Sequence, residues 1–122
     1  MIRSAIPLLH VSNFAVAQQF YSKLGFLLEF SRRGDRTKSD PSYASIVRDD
    51  ARLHLSSFSG DGASGSVINL MVDNVDALFD EFSAKHVPIA VAPVNQAWGT
   101  REMYIKDVDG NSLRFISNHA NR

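Results

Sequence analysis

Apolar residues Val16, Ala17, Phe20, Tyr21 and Leu24 recur at three- and four-residue intervals, while Gln18, Gln19, Ser22 and Lys23 occupy the positions between them. That spacing predicts an amphipathic helix. Asn13 stands where an N-cap belongs, and Gly25 supplies a left-handed stop. The pattern returns later in the chain. Val75, Leu78, Phe79 and Phe82 form a second stripe behind Asn74, with Asp76, Asp80, Glu81 and Lys85 outside it. Short apolar runs surround the two helices and read as strands: Ile2 to Val11, with an irregularity at Pro7; Phe26 to Arg32; Tyr43 to Arg48; Arg52 to Phe58; Val67 to Val72; Ile89 to Ala92; Met103 to Lys106; and Leu113 to Ser117. Asp49-Asp50 and Asp109-Gly110-Asn111 predict tight turns between neighbouring strands, and Gly34 to Pro41 a polar loop.

The order is therefore β-α-β-β-β, stated twice. Between the two statements lies Ser59-Gly60-Asp61-Gly62-Ala63-Ser64-Gly65, which has no apolar anchor and predicts a flexible connector. The expected organisation is one domain over residues 1–122, with a first module over 1–59, the connector at 60–65 and a second module over 66–122. One such module is too small to bury a helix and a sheet well by itself. The fold class is α+β: two βαβββ modules whose curved mixed sheets carry helix on one face and line a cleft with the other.

Composition narrows the function. The 122 residues contain no Cys, which removes disulfides, thiolate metal sites and a Cys nucleophile. The formal net charge of +0 argues against a nucleic-acid partner, and Arg32 to Lys38 reads as a solvated loop. No run approaches the roughly 20 apolar residues that span a bilayer, and the first residues lack a signal-peptide pattern, so no membrane partner and a cytoplasmic location are expected. Nucleophile-elbow, phosphate-loop and dinucleotide motifs are missing, and Ser56 and Ser57 have no evident base.

Several stretches carry a family resemblance. Ala5-Ile6-Pro7-Leu8-Leu9 followed by Phe20-Tyr21-Ser22-Lys23-Leu24-Gly25-Phe26 resembles the opening pattern of the glyoxalase, bleomycin-resistance and extradiol-dioxygenase superfamily, the vicinal oxygen chelate fold. Val72-Asp73-Asn74-Val75-Asp76-Ala77-Leu78 resembles the start of its second half, and Asp107-Val108-Asp109-Gly110-Asn111 its closing turn, with Val108 where Pro is usual. Tyr43 to Asp50, Trp98-Gly99 and Leu113 to Asn118 are similar to the bleomycin-resistance proteins in particular.

The resemblance implies two alternatives. Enzymes of the superfamily hold a divalent cation with His and Glu on the sheets. The matching positions fall at or near Ile6, Val67 and Arg114. Ile and Val offer no lone pairs, and Arg is a permanent cation without an acceptor. No cofactor is therefore expected. The other alternative, a metal-dependent lyase, isomerase or thiol transferase, would use His10 and His54 with a carboxylate. His86 and His119 suit surface positions, and Glu29 and Glu102 are expected to face water or a cleft rim. Without a metal, the resemblance implies a binding protein that sequesters a planar aromatic ligand of the bleomycin type by stacking in a groove at a homodimer interface. Trp98, Gly99, Phe30, Tyr43, Phe58 and Arg114 are the expected ligand-binding residues. Drug-binding members are acidic, whereas this chain is neutral, which favours a neutral or anionic ligand or weaker capture of a cation. Another aromatic metabolite is the remaining alternative.

Overall fold

The computed structural model describes residues 1–118, and the chain divides into two compact units, Met1–Ser66 and Val67–Arg122. In the first unit, β1 (Leu8–His10), α1 (Phe14–Lys23), β2 (Leu27–Arg33), β3 (Ser42–Arg48) and β4 (Ala51–Ser56) follow one another. The sheet order is β1-β4-β3-β2, with β1 parallel to β4 and the other pairs antiparallel. Alternation sorts the side chains. Leu9, Ala44, Ile46, Leu53 and Leu55 are buried, as are Ala17, Tyr21 and Leu24 from the helical stripe; Val16 of that stripe is exposed, and Phe14 at the first turn is buried instead. Helix α1 starts at Asn13, whose side-chain oxygen accepts the Val16 N–H at 3.0 Å. It ends where Gly25 takes φ +83°, and Arg48 Nη1 donates to the Leu24 carbonyl at 2.8 Å. The positive φ at Gly25 requires glycine, and a Cβ there would fall 2.6 Å from that Nη1, which would have to move.

The second unit repeats the order with β5 (Val67–Met71), α2 (Val75–Ala84), β6 (Val91–Asn95), β7 (Thr100–Lys106) and β8 (Ser112–Asn118). Its sheet order is β5-β8-β7-β6, and β5 is parallel to β8. Met103, Ile105, Leu113 and Phe115 line the buried face, where the Phe82 ring of α2 meets Phe115 edge-on at 5.3 Å. Full burial of a side chain like Phe82 contributes about 1.5–3 kcal/mol. The start of α2 is anchored to β7. Arg101 forms a bidentate pair with Asp76, with Nε and Nη2 each 3.0 Å from a carboxylate oxygen, which holds the Arg101 guanidinium above its ordinary pKa. The β7–β8 turn is built on Asp107. Its Oδ1 accepts the N–H groups of Asp109 and Asn111, both at 2.9 Å, while Gly110 takes φ +79°.

Three expectations need correction. The first strand is Leu8–His10 rather than Ile2 to Val11. Only those residues are in strand register with β4; Pro7 has no N–H to give and contributes only its carbonyl, which accepts the His54 N–H at 2.9 Å. Strand β6 is Val91–Asn95, not Ile89 to Ala92, and it runs through Pro93 because the register breaks between Val91 and Val94. An edge strand tolerates proline at such a break. The Gly/Ser connector is tied to the first unit. His10 Nδ1 meets the Asp61 carbonyl at 3.0 Å, Ser56 Oγ donates to Asp61 Oδ2 at 2.9 Å, and Ala63 bridges to Leu9.

The Asn74 side chain accepts the Ala77 N–H at 3.1 Å and caps α2. Asn74→Ala should lower the unfolding free energy by about 1 kcal/mol. Urea denaturation checks this: the midpoint falls while the slope stays constant, and an unchanged midpoint would mean the cap contributes nothing.

Candidate functional site

In the second unit the chain places Trp98, Thr100, Glu102 and Tyr104 at every second position, which in a strand puts side chains on one face. The turn before β7 closes through the Gln96 N–H, which donates to the Thr100 carbonyl at 2.8 Å, and Gly99 supplies φ +96°. Glycine is favoured at that angle, so Gly99 shapes the turn that presents Trp98. Trp98 Nε1–H donates to Glu102 Oε2 at 3.2 Å. Thr100 Oγ1 donates to the same oxygen at 2.7 Å, and Tyr104 O–H donates to Oε1 at 2.7 Å.

Glu102 is only 4% exposed, whereas the Trp98 side chain it holds is 70% exposed. Burial alone would push the Glu102 carboxyl up. The Thr100, Tyr104 and Trp98 donors and the Arg114 charge outweigh it, so the group lies below its ordinary range and is ionised at neutral pH. The same bond pushes the Tyr104 hydroxyl up, because its proton is held by the carboxylate. Glu102 was expected at a rim or in water; it is instead buried beneath the indole.

Arg114 on β8 lies opposite Tyr104, with its guanidinium carbon 4.7 Å from the Tyr104 ring centroid. Its Nε is buried and has no hydrogen-bond partner among the described residues. On its other side in the sheet, the register partner is the exposed Asn69 of β5.

The first unit gathers different residues. His54 Nδ1 is 2.6 Å from the Tyr43 hydroxyl, and the imidazole meets the Tyr43 ring at 5.2 Å and the Phe30 ring at 5.8 Å, both edge-on. The Arg32 guanidinium lies 5.5 Å from the Phe30 centroid. Burial and, after it, the Arg52 charge push His54 down, against the opposing pull of Glu29. Glu29 sits at the register break between Leu28 and Phe30, accepts Ser45 Oγ at 2.8 Å and pairs with Arg52 at 2.7 Å. Phe58 lies beyond the end of β4, where a Cβ at Gly34 would be 3.1 Å from its ring. The Ser56 hydroxyl is bound to Asp61, and Ser57 Oγ accepts the Ser42 N–H at 2.8 Å, so both serve the local turn.

Of the residues expected to bind ligand, Trp98, Gly99 and Arg114 thus belong to the second unit, and Phe30 and Tyr43 come together around His54 in the first. Phe58 lies in the first unit, beside Gly34. Glu102 and Tyr104 were not on that list. The period-two run from Trp98 to Tyr104 was the available signal, since it places the carboxylate between three donors.

A divalent cation of the superfamily kind does not fit these residues. Ile6 lies outside any strand, Val67 has no donor atom, and Arg114 is itself a cation. The two imidazoles have different partners: His10 meets the Asp61 carbonyl, and His54 meets Tyr43. Among the described residues no group of three His, Asp or Glu side chains is placed to hold a metal ion. No helix among them is long and apolar enough to cross a membrane. His86 takes a positive φ of 60° at the end of α2, and His119 lies outside the described residues.

The comparisons with known proteins agree on the fold. A bleomycin resistance determinant encoded on the transposon Tn5 is 25% identical, with 96% of this chain and 98% of that one covered at a TM-score of 0.78. A bleomycin-binding protein complexed with bleomycin is also 25% identical, with 97% and 100% covered at 0.77. A lactoylglutathione lyase from Agrobacterium tumefaciens, 20% identical with 94% of each chain covered at 0.72, shares the fold. Comparison with curated proteins gave no match. The two mixed four-stranded sheets, each with one helix, are those of the vicinal oxygen chelate fold. The family model described as glyoxalase superfamily protein matches residues 1–121, and the chain belongs to that superfamily.

Proposed function

We propose that the protein binds and sequesters a planar aromatic small molecule, with bleomycin-type glycopeptides as the leading candidates, and that it does so without catalysis or a metal. One observation carries the reading. The single Trp of the chain is 70% exposed, yet its ring nitrogen is fixed by a buried carboxylate. An exposed indole gains little by folding, so holding it still serves contact with something else. A pre-oriented ring binds a flat partner with less loss of rotational freedom. Stacking of a flat heteroaromatic on such a ring is worth about 1–3 kcal/mol.

The bleomycin complex of a protein 25% identical over nearly the whole chain supports the choice of ligand. Phe30 and Tyr43 are proposed as further aromatic contacts. A homodimer belongs to the same proposal: Val67, Met71 and Leu27 leave apolar side chains 51%, 73% and 71% exposed, which a second copy would cover. A groove at that interface would be the binding site.

Titration with bleomycin should quench the emission of Trp98 and saturate at one ligand per chain. Trp98→Ala should weaken binding at least tenfold, about 1.4 kcal/mol, as measured by calorimetry on a variant whose circular dichroism is unchanged. Unchanged affinity would make the indole a structural group only.

The pH dependence follows from Glu102. A carboxylate whose pKa is lowered by folding adds stability that is fully present above the ordinary value, here 4.5, and is lost as pH falls through the lower folded value. Emission from the unliganded protein should stay constant from neutral pH down to about 4.5 and change below it. Glu102→Gln should remove that low-pH transition. A transition centred above the ordinary carboxylate value would contradict the assignment.

A further inference from the structure

We infer that Arg114 forms a subsite for a ligand carboxylate, so that the second unit selects planar aromatic acids over their neutral counterparts. The inference rests on reading Trp98 as a stacking surface and adds the charge of the ligand.

The hydrogen bonds of this face leave Arg114 with donors to spare. Both oxygens of Glu102 are engaged by the neutral donors Trp98, Thr100 and Tyr104. Glu102 therefore lies close enough to lend Arg114 a compensating charge but makes no hydrogen bond to it. The guanidinium lies over the Tyr104 ring at 4.7 Å, and Nε is out of solvent with no acceptor among the described residues. A ring supplies attraction for the charge and no lone pair for the planar N–H fork. A donor removed from water without an acceptor is destabilising. Arg114 as a whole is half-buried, and a carboxylate matches the fork of its guanidinium in bidentate fashion.

Position supports the same reading. Trp98, Glu102, Tyr104 and Arg114 form one continuous row, linked at 3.2, 2.7 and 4.7 Å. The strand beside Arg114 adds the exposed Asn69 as its register partner, and Asn69 carries no charge to oppose an anion. A two-ring ligand stacked at Trp98 would extend its substituent along this row toward Arg114. A cation placed there would meet a fixed positive charge, so a cationic glycopeptide stacked at Trp98 is held more weakly than an aromatic acid of the same ring area. Glu102, buried under the indole, cannot turn toward that cation without releasing three donors.

Calorimetry on the full chain with 2-naphthoate and 2-naphthamide tests this directly, because the two probes share their rings and differ in charge. The wild-type protein should bind naphthoate at least tenfold more tightly. Arg114→Gln should bring the two affinities within twofold of each other, and Trp98→Ala should weaken both. If the wild type shows no preference while Trp98→Ala still weakens both probes, the carboxylate subsite is wrong and the stacking surface stands. If Trp98→Ala changes neither while the Arg114-dependent preference persists, the stacking surface is wrong and the subsite stands. Absence of binding by either probe overturns both. Should Arg114→Gln fail to fold, the Arg114 Nε–H resonance of the wild type decides. Naphthoate should shift it and naphthamide should not, and equal shifts would overturn the subsite.

Discussion

The exposed aromatic face of the second unit is organised around the buried carboxylate of Glu102. A carboxylate removed from water must be paired or hydrogen-bonded, or it takes up a proton. Glu102 meets that demand with an indole, a threonine hydroxyl and a tyrosine hydroxyl, and with the nearby charge of Arg114. Each of these groups is thereby fixed. The indole is held at the strand edge with its rings in solvent, Tyr104 is held as a surface for the guanidinium, and the turn at Gly99 must close so that Trp98 can reach back. What makes the site rigid is thus the cost of leaving that carboxylate unsatisfied.

The two units share an architecture and differ in what occupies equivalent strands. In each, a helix-bearing sheet pairs its first strand in parallel with its last. The partner of Leu8 is His54 in one unit, and the partner of Asn69 is Arg114 in the other. Both last-strand residues pack against a tyrosine from the neighbouring strand, Tyr43 and Tyr104 respectively. The same frame therefore supports a neutral, depressed imidazole in one unit and a permanent cation in the other. Neither arrangement assembles the set of carboxylate and imidazole donors that a divalent ion requires. Superfamily membership alone therefore does not decide the chemistry, and the residues on these strands have to do so.

Much of this was legible in the chain itself. The helices behind Asn13 and Asn74, the stop at Gly25 and the turn at Asp109-Gly110-Asn111 are local features, set by backbone angles and short-range hydrogen bonds, and they stand as read, except that Val16 of the first stripe is exposed and Phe14 is buried instead. The strand limits were less legible, because an extended segment becomes a strand only where a partner exists. Ile2 to Ile6 is apolar enough for a strand, yet pairing reaches only Leu8 to His10. Pro93 lies just past the expected strand Ile89 to Ala92, yet an edge strand with a broken register accommodates it. The connector looked free by composition. Its hydrogen bonds come from Ser56, just before it, and from His10, which is distant in sequence and so invisible to a local reading.

Glu102 is the instructive case. Hydropathy places a lone carboxylate among apolar neighbours at the surface, because burial of charge is costly when considered residue by residue. The structure reverses that outcome because the donors needed to offset the cost lie at alternate positions on the same strand and in the turn before it. A strand face is thus the unit over which polarity has to be judged. Read that way, Thr100, Glu102 and Tyr104 are one polar cluster with a satisfied interior, and Trp98 is its cap. The cap is apolar on the side turned to solvent and polar only at its one nitrogen, which the cluster consumes. Such a ring has no hydrogen bond left to give, so a partner at its exposed face is held by stacking, and discrimination among flat partners must come from groups at the end of the row. Arg114, with its unpaired donor, is the group placed there.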